Sequence, residues 1–376
     1  MASIGGIFNM SGGRISSDTL VKMSKASCRN MRGGRAAVML GSCGMFWADG
    51  GFDSTLAERE NIILLCDGEI YPDRGGERAG FFGESDARLC ADIYEKYGAL
   101  SFEHMGGEYA AAILERKKDE LVLLRDPTGS RPLFYAEDKG SIGFASEIKS
   151  IIAFLDDASV DRKIFTSHVL SRCGQYTGDD LYRSISSVEG GSGISVSGNG
   201  TARFDFRGQY ARSERGENEG DAVGGDFVCP DEEGMRRMLW EILYAFDYPQ
   251  FDCLMPTFLR DCEAAGRGDR CVADGALFFD LSYASERLDR LSAIAGYRPT
   301  CTVPHKYLPK ERELRKMEDV LRSLLSHSDR EKLGYIFETD IVGEINKIEN
   351  TARRVRSLGM AFQSILWYDG YRIRLI

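Results

Sequence analysis

Residues 121–145 read LVLLRDPTGSRPLFYAEDKGSIGFA and contain three short β-like runs. The runs stop at Asp, Pro and Gly residues, which interrupt strands and favour turns. Comparable runs recur between Ile4 and about Phe206, as IGGIF, AAVML, NIILLCDGEIY and YAAAILE. The N-terminal part of the chain therefore predicts many short strands joined by tight connections.

Two helical patterns interrupt these strands, at residues 16–30 and 86–97, the second after a Ser85-Asp86 cap. Their apolar stripes are Leu20, Met23 and Ala26 in the first, and Leu89, Ile93 and Tyr97 in the second. Strands outnumber helices, and the pattern predicts an α+β, layered fold.

A change of composition after Phe206 predicts a domain boundary. The stretch RGQYARSERGENEGDAVGGD is charged and Gly-rich, as is typical of linkers. From residue 230 onward the apolar periodicity is helical. We therefore predict a domain over 1–208, a linker over 209–229 and a mostly helical domain over 230–376.

Composition excludes several classes of function. The net charge of -10 disfavours nucleic acid and anionic membranes as partners, because both require a basic surface. No leader segment or membrane-spanning apolar run is visible, so we expect a cytoplasmic protein. Ten cysteines without CxxC pairs favour reduced core residues over a disulfide scaffold or zinc site.

Several blocks of this sequence, in order, resemble the glutamine-hydrolysing asparagine synthetases. They are Ile4-Gly5-Gly6-Ile7-Phe8-Asn9, Arg32-Gly33, Asp67-Gly68-Glu69-Ile70-Tyr71, Ser85-Asp86, Arg125 to Tyr135, and Phe144 to Lys149. The resemblance implies a class II glutamine amidotransferase domain with an N-terminal-nucleophile hydrolase-like αββα sandwich. It also implies that the helical domain is a truncated asparagine synthetase domain.

The resemblance implies a glutamine pocket formed by Arg32, Asp67, Gly68, Glu69 and Asp86. In the family a Cys after the initiator Met attacks the glutamine carbonyl, but Ala2 stands there, and its methyl group cannot act as a nucleophile. Ser3 has a hydroxyl, but its amine lies within a peptide bond. Asp67 replaces the family's oxyanion-binding Asn with an acceptor-only group. We therefore expect no catalytic residue, and a pocket that is vestigial.

Two further signals concern nucleotide binding. SGGRISS, at residues 11–17, is similar to the family's ATP-phosphate loop, but it follows the first strand, so we predict a turn and a helix cap. Asp274-Gly275 resembles part of a vestigial nucleotide and Mg²⁺ region that lacks its acidic pair. The glycines at 190, 191 and 193 predict a hairpin turn. The scattered histidines favour structural roles, and no metal site is expected.

These departures predict a pseudoenzyme that binds an amino-acid-like ligand, a peptide or a partner enzyme without a cofactor. Assembly into a homo-oligomer is compatible with this prediction. The alternative is an ATP-dependent ligase that forms amide bonds without glutaminase activity, like the β-lactam synthetases and lasso-peptide cyclases, and this function would require ATP and Mg²⁺. A third alternative is an internally deleted gene product without a settled function.

Overall fold

The structure is a computed structural model of the 376-residue chain. It describes residues 3–27, 35–48, 55–72, 85–98, 105–127, 129, 131–156, 158–170, 181–205, 228–251, 253, 255–256, 309–325, 327–371 and 373–376. These residues form two compact units, one made of Met1–Asp156 with Ser184–Arg215 and the other of Asp157–Arg183 with Gly216–Ile376. The predicted linker over 209–229 lies outside the described residues except for its last two positions.

The described elements are numbered in chain order. The first are β1 (Ser3–Asn9), α1 (Ser17–Ala26), β2 (Arg35–Leu40), β3 (Cys43–Ala48), β4 (Leu56–Glu58), β5 (Ile62–Pro72), α2 (Asp86–Tyr97), β6 (Met105–Glu115) and β7 (Glu120–Arg125). They continue with β8 (Phe134–Asp138), β9 (Ser141–Ala145), α3 (Ile148–Phe154), β10 (Ser159–Val160), α4 (Arg162–Leu170), β11 (Ser186–Ser187), β12 (Ser192–Ser197) and β13 (Gly200–Asp205). The last are α5 (Glu232–Phe246), α6 (Glu311–Leu324), α7 (His327–Phe337), α8 (Ile341–Asn346), α9 (Thr351–Tyr371) and β14 (Arg374–Leu375).

Two six-stranded antiparallel sheets make up the first unit, with strand orders β11-β8-β9-β1-β3-β2 and β13-β12-β7-β6-β5-β4. Helices α1 and α3 pack on the first sheet, and α2 packs on the second. The core between the sheets combines Ile4 and Phe8 of β1 with Leu65 of β5 and Ala112 of β6. The predicted α+β, αββα sandwich is confirmed.

The buried stripe of α2 differs from the predicted one. Tyr97 is 38% exposed, whereas the helix buries the small residues Ala87, Cys90 and Ala91 together with Tyr94. These positions follow the i, i+3, i+4, i+7 spacing of a helix face. Small side chains allow α2 to lie close to β5, and a search for large apolar residues overlooks them.

The described part of the second unit is helical apart from the parallel pair β10-β14. Trp367 of α9 is fully buried, and its indole N–H donates to Tyr182 Oη at 2.8 Å. Phe165 of α4 packs on this indole, with ring centroids 4.8 Å apart. Residues 157–183, which the sequence placed in the first domain, therefore lie in the second unit, because their aromatic side chains complete its core.

Candidate functional site

Strand β5 carries the Asp67-Gly68-Glu69 motif. Asp67 pairs with Ala110 of β6, and Ala110 belongs to the core between the two sheets. Alternate residues of a strand point to opposite faces, so Asp67 lies on the inter-sheet face with Leu65, while Cys66 faces α2. Asp67 is only 3% exposed. A carboxylate, which can only accept hydrogen bonds when ionised, thus occupies the buried position where the family has an amide.

Gly68 has a backbone conformation that disfavours side chains. Its φ is +135°, and a Cβ at this position would collide with the backbone carbonyl of Glu108 and lie 2.7 Å from Tyr109 Cα. Only glycine adopts this φ without strain and allows β6 to approach so closely. The next residue, Glu69, continues β5 opposite Glu108, and its side chain lies outside the described part.

Asp86 starts helix α2 and fixes it to β5. Its carboxylate accepts a hydrogen bond from the Ile70 N–H at 2.8 Å. The helix cap itself is Ser85, whose hydroxyl accepts from the Arg88 N–H at 3.4 Å. The Asp86 carboxylate therefore has a structural bond to the strand that carries Asp67, in addition to any role toward a ligand.

We expect Asp86→Ala to lower the free energy of unfolding by about 2 kcal/mol, because the Ile70 N–H loses its acceptor and the helix N-terminus loses a negative charge. Asp86→Asn keeps an acceptor oxygen and is expected to recover at least about half of that loss. Urea unfolding of the two variants measures the difference. Equal losses in both would show that the Ile70 bond contributes little.

The thiol of Cys66 brings the two carboxylates of this site into one electrostatic environment. Its pKa is raised well above the usual value, first by a hydrogen bond with Cys90, then by burial and by the negative charges of Cys90, Asp86 and Asp67. Asp67 and Asp86 thus lie on opposite sides of one strand and near one another. The site is acidic in its described part.

Ser3 lies on the wrong face of β1 to replace a missing nucleophile. Ile4 and Phe8 of this strand face the second sheet, so Ser3 points toward the helical layer. A Cβ on Gly44, in the neighbouring strand β3, would meet Leu20 of α1, which identifies that face. The Ser3 hydroxyl is buried and has no hydrogen-bond partner.

The block around Arg125 holds connections rather than a substrate. The guanidinium of Arg125 donates to the carbonyl oxygens of Arg131 at 2.6 Å, Gly129 at 2.6 Å and Val188 at 3.1 Å. Asp126, fully buried, accepts from the Arg131 N–H at 3.2 Å. The sequence singled out this block for its resemblance, and the structure gives it a role in tying β7 to the residues before β8 and β12.

The two glycine-containing loops are turns. Ser16 caps α1 by accepting from the Thr19 N–H at 3.3 Å, and the Gly12 N–H donates to the Asn9 carbonyl at 3.1 Å. The predicted turn and cap are confirmed there. Gly190 and Gly191 lie in a turn that connects β11 to β12, which belong to different sheets, so the predicted hairpin is wrong at this point. Adjacent hairpin strands would have to share a sheet.

Ala2, Arg32, Asp274 and Gly275 lie outside the described residues. Among the described residues, no three His, Cys, Asp or Glu side chains form a group that could hold a metal ion. His168 is buried, with Nε2 2.9 Å from the Pro249 carbonyl oxygen. Within the same ranges, no helix has both the length and the apolarity needed to cross a bilayer.

Residues 53–207 match the family described as the glutamine amidotransferase domain. Among similar curated proteins, the amidase chyE of Penicillium rubens is 33% identical over 90 residues, covering 24% of this chain and 13% of that protein. Asparagine synthetase 2 of Bacillus subtilis is 33% identical over 102 residues, covering 26% and 14%. Asparagine synthetase B of Escherichia coli is 28% identical over 101 residues, covering 25% and 18%.

These alignments cover less than a fifth of each relative's length. Among solved structures, the glutamine phosphoribosylpyrophosphate amidotransferase of Bacillus subtilis covers 64% of this chain and 57% of its own, with 14% identity and a TM-score of 0.38.

Proposed function

The chain carries a class II glutamine amidotransferase domain of the asparagine synthetase family, and from this premise we propose that it is a non-catalytic member, a pseudoenzyme that binds rather than hydrolyses. Its ligand is an amino-acid-like molecule, a peptide or a partner enzyme. We place it in the cytoplasm and assign it no cofactor. Nucleic acid is excluded from the proposed partners by the net charge of -10.

The observation that carries this proposal is the environment of Asp67. Hydrolysis of an amide builds negative charge on the carbonyl oxygen, and one donor to that oxygen contributes about 3 to 4 kcal/mol. A buried carboxylate 3% exposed on the inter-sheet face supplies repulsion in place of donation. Gly68, beside it, keeps the conformation that lets β5 and β6 approach closely. The shell of the pocket is retained while its chemistry is altered.

The acidic character of the site supports a ligand with an ammonium group. Asp67 and Asp86 both act on the Cys66 thiol, so two negative charges lie in one region of the first unit. An α-ammonium group would complement them, as carboxylates form charge-assisted hydrogen bonds with amines. An amino acid or the N-terminus of a peptide has this group.

Ammonia release from glutamine tests the loss of catalysis. We expect the wild-type chain to release none above the buffer background, because Ala2 offers no nucleophile. Ala2→Cys supplies a thiol but retains Asp67, so we expect Ala2→Cys/Asp67→Asn to be about 10²-fold faster than Ala2→Cys alone. Mass spectrometry must first establish that the initiator Met has been removed from each protein.

Glutaminase activity of the wild-type chain would overturn the pseudoenzyme proposal. Equal rates in the single and double variants would contradict the assignment of Asp67 to the oxyanion position. Calorimetric titration with glutamine, glutamate and a short peptide measures binding directly. Titration with ATP and Mg²⁺ tests the alternative of a ligase, for which micromolar binding is the expected signature. The similarity to a protein named an amidase makes amide hydrolysis the first activity to assay.

A further inference from the structure

Helix α2 lies on β5 in a defined register. Asp86, in the first turn, accepts a hydrogen bond from Ile70 of the strand. One helical turn later, Cys90 is hydrogen-bonded to Cys66, four residues earlier on the strand. Residues four apart share a face on a helix, and residues four apart share a face on a strand. The two contacts are therefore successive points of one antiparallel helix-strand alignment.

The two thiols meet inside the core. Cys66 is 4% exposed and Cys90 is fully buried, and both belong to the apolar cluster between the second sheet and α2. Leu64 and Ile70 contribute to the same cluster from the same face of β5, which fixes the direction of the Cys66 side chain. The thiols thus face each other because the packing of α2 on β5 leaves them no other orientation.

We propose that Cys66 and Cys90 are a reversible disulfide site that joins α2 to β5 when the chain is oxidised. This proposal does not depend on the proposed binding function. The oxidant is a small disulfide such as oxidised glutathione. One cysteine thiolate attacks it, releasing one reduced glutathione, and the second cysteine then displaces the other. Two protein S–H bonds are lost, one S–S bond is formed, and two glutathione thiols receive the protons.

Burial favours the disulfide as an end state and makes its formation slow. A disulfide carries no charge, so the apolar cluster accommodates it better than a thiolate. The same burial, with the nearby carboxylates, raises the pKa of Cys66 and keeps its thiolate scarce. Exchange therefore requires a transient opening of α2. A metal does not explain the pair, since no group of three suitable ligands exists within the described residues.

The test is a disulfide map of the full-length chain equilibrated with oxidised glutathione, with dithiothreitol as the reduced reference. Free thiols are blocked with N-ethylmaleimide in denaturant, and the protein is digested without reduction. We expect a cross-linked peptide joining Cys66 to Cys90, which dithiothreitol abolishes. Because the bond closes a loop within the first unit, we expect oxidation to raise the melting temperature by roughly 5 to 10 °C.

Cys90→Ser should abolish both the cross-link and the rise in melting temperature. Cys43→Ser is the matched control, because Cys43 is also fully buried but lies in the first sheet, and it should retain both. Finding Cys66 and Cys90 alkylated after oxidation, or each joined to glutathione, would overturn the proposal. If Cys90→Ser does not fold, the peptide map of the wild-type chain still decides.

Discussion

Gly68→Ala is expected to lower the free energy of unfolding of the first unit by about 5 kcal/mol, which for many domains exceeds a third of the total. The Cβ would collide with the carbonyl of Glu108 on the partner strand, and an L side chain at φ +135° is strained in any surroundings. Both problems involve backbone, so no side-chain rotation relieves them. We expect the variant to be largely insoluble or to unfold at much lower urea concentration.

Gly41→Ala is the matched control for this substitution. Gly41 lies in the turn between β2 and β3 with φ +68°, and a Cβ there would meet nothing within 4 Å. It shares the unfavourable φ but not the steric collision, so we expect a loss of only about 1 kcal/mol. Urea unfolding of both variants separates the two effects. Similar losses in both would show that β6 can move away from Gly68.

Arg125→Met is expected to cost about 4 kcal/mol. The substitution keeps the apolar stem of the side chain but leaves three carbonyl oxygens, those of Gly129, Arg131 and Val188, without the guanidinium that they share. Arg125 is only 7% exposed, so water replaces these bonds poorly. Bonds to a charged donor contribute about 1.5 to 3 kcal/mol each, and a buried acceptor without a donor costs about 1 to 3 kcal/mol.

The control for Arg125 is Arg116→Met. Arg116 also donates to two carbonyl oxygens, those of Arg59 and Glu60, each at 3.2 Å, but its side chain is 35% exposed. Water can replace its bonds, so we expect a loss below about 1 kcal/mol. Thermal and urea unfolding both measure the contrast. A small loss for Arg125→Met would show that the connections to β8 and β12 are held by other contacts.

The layering of the first unit followed from the sequence because strand alternation and the punctuation by Gly, Asp and Pro are local signals. The family followed from short motifs in a fixed order, and the match over residues 53–207 confirms it. The helical cap at Ser16 was predicted for the same reason, since a cap is set by residues three positions apart. The roles of Arg32, Asp67, Glu69 and Asp86 toward a ligand stay predictions.

The predicted stripe of α2 was wrong because the helix buries small residues. Its periodicity was correct, but Ala87, Cys90 and Ala91 were not counted as core. The segment 157–183 was assigned to the first domain because it follows those strands in the sequence. Its partners, such as Trp367 for Phe165, are about two hundred residues away in the chain, and no local signal points to them.

The sequence by itself determined which chemistry is missing: Ala2 has no nucleophilic atom, and Asp67 has no donor when ionised, whatever the fold around them. Tertiary structure alone decided that Cys66 meets Cys90, that Asp86 binds the Ile70 N–H, and that Ser3 faces the helices. The reason is physical. A residue's functional groups are fixed by covalent structure, whereas its neighbours depend on how distant elements pack to bury apolar surface.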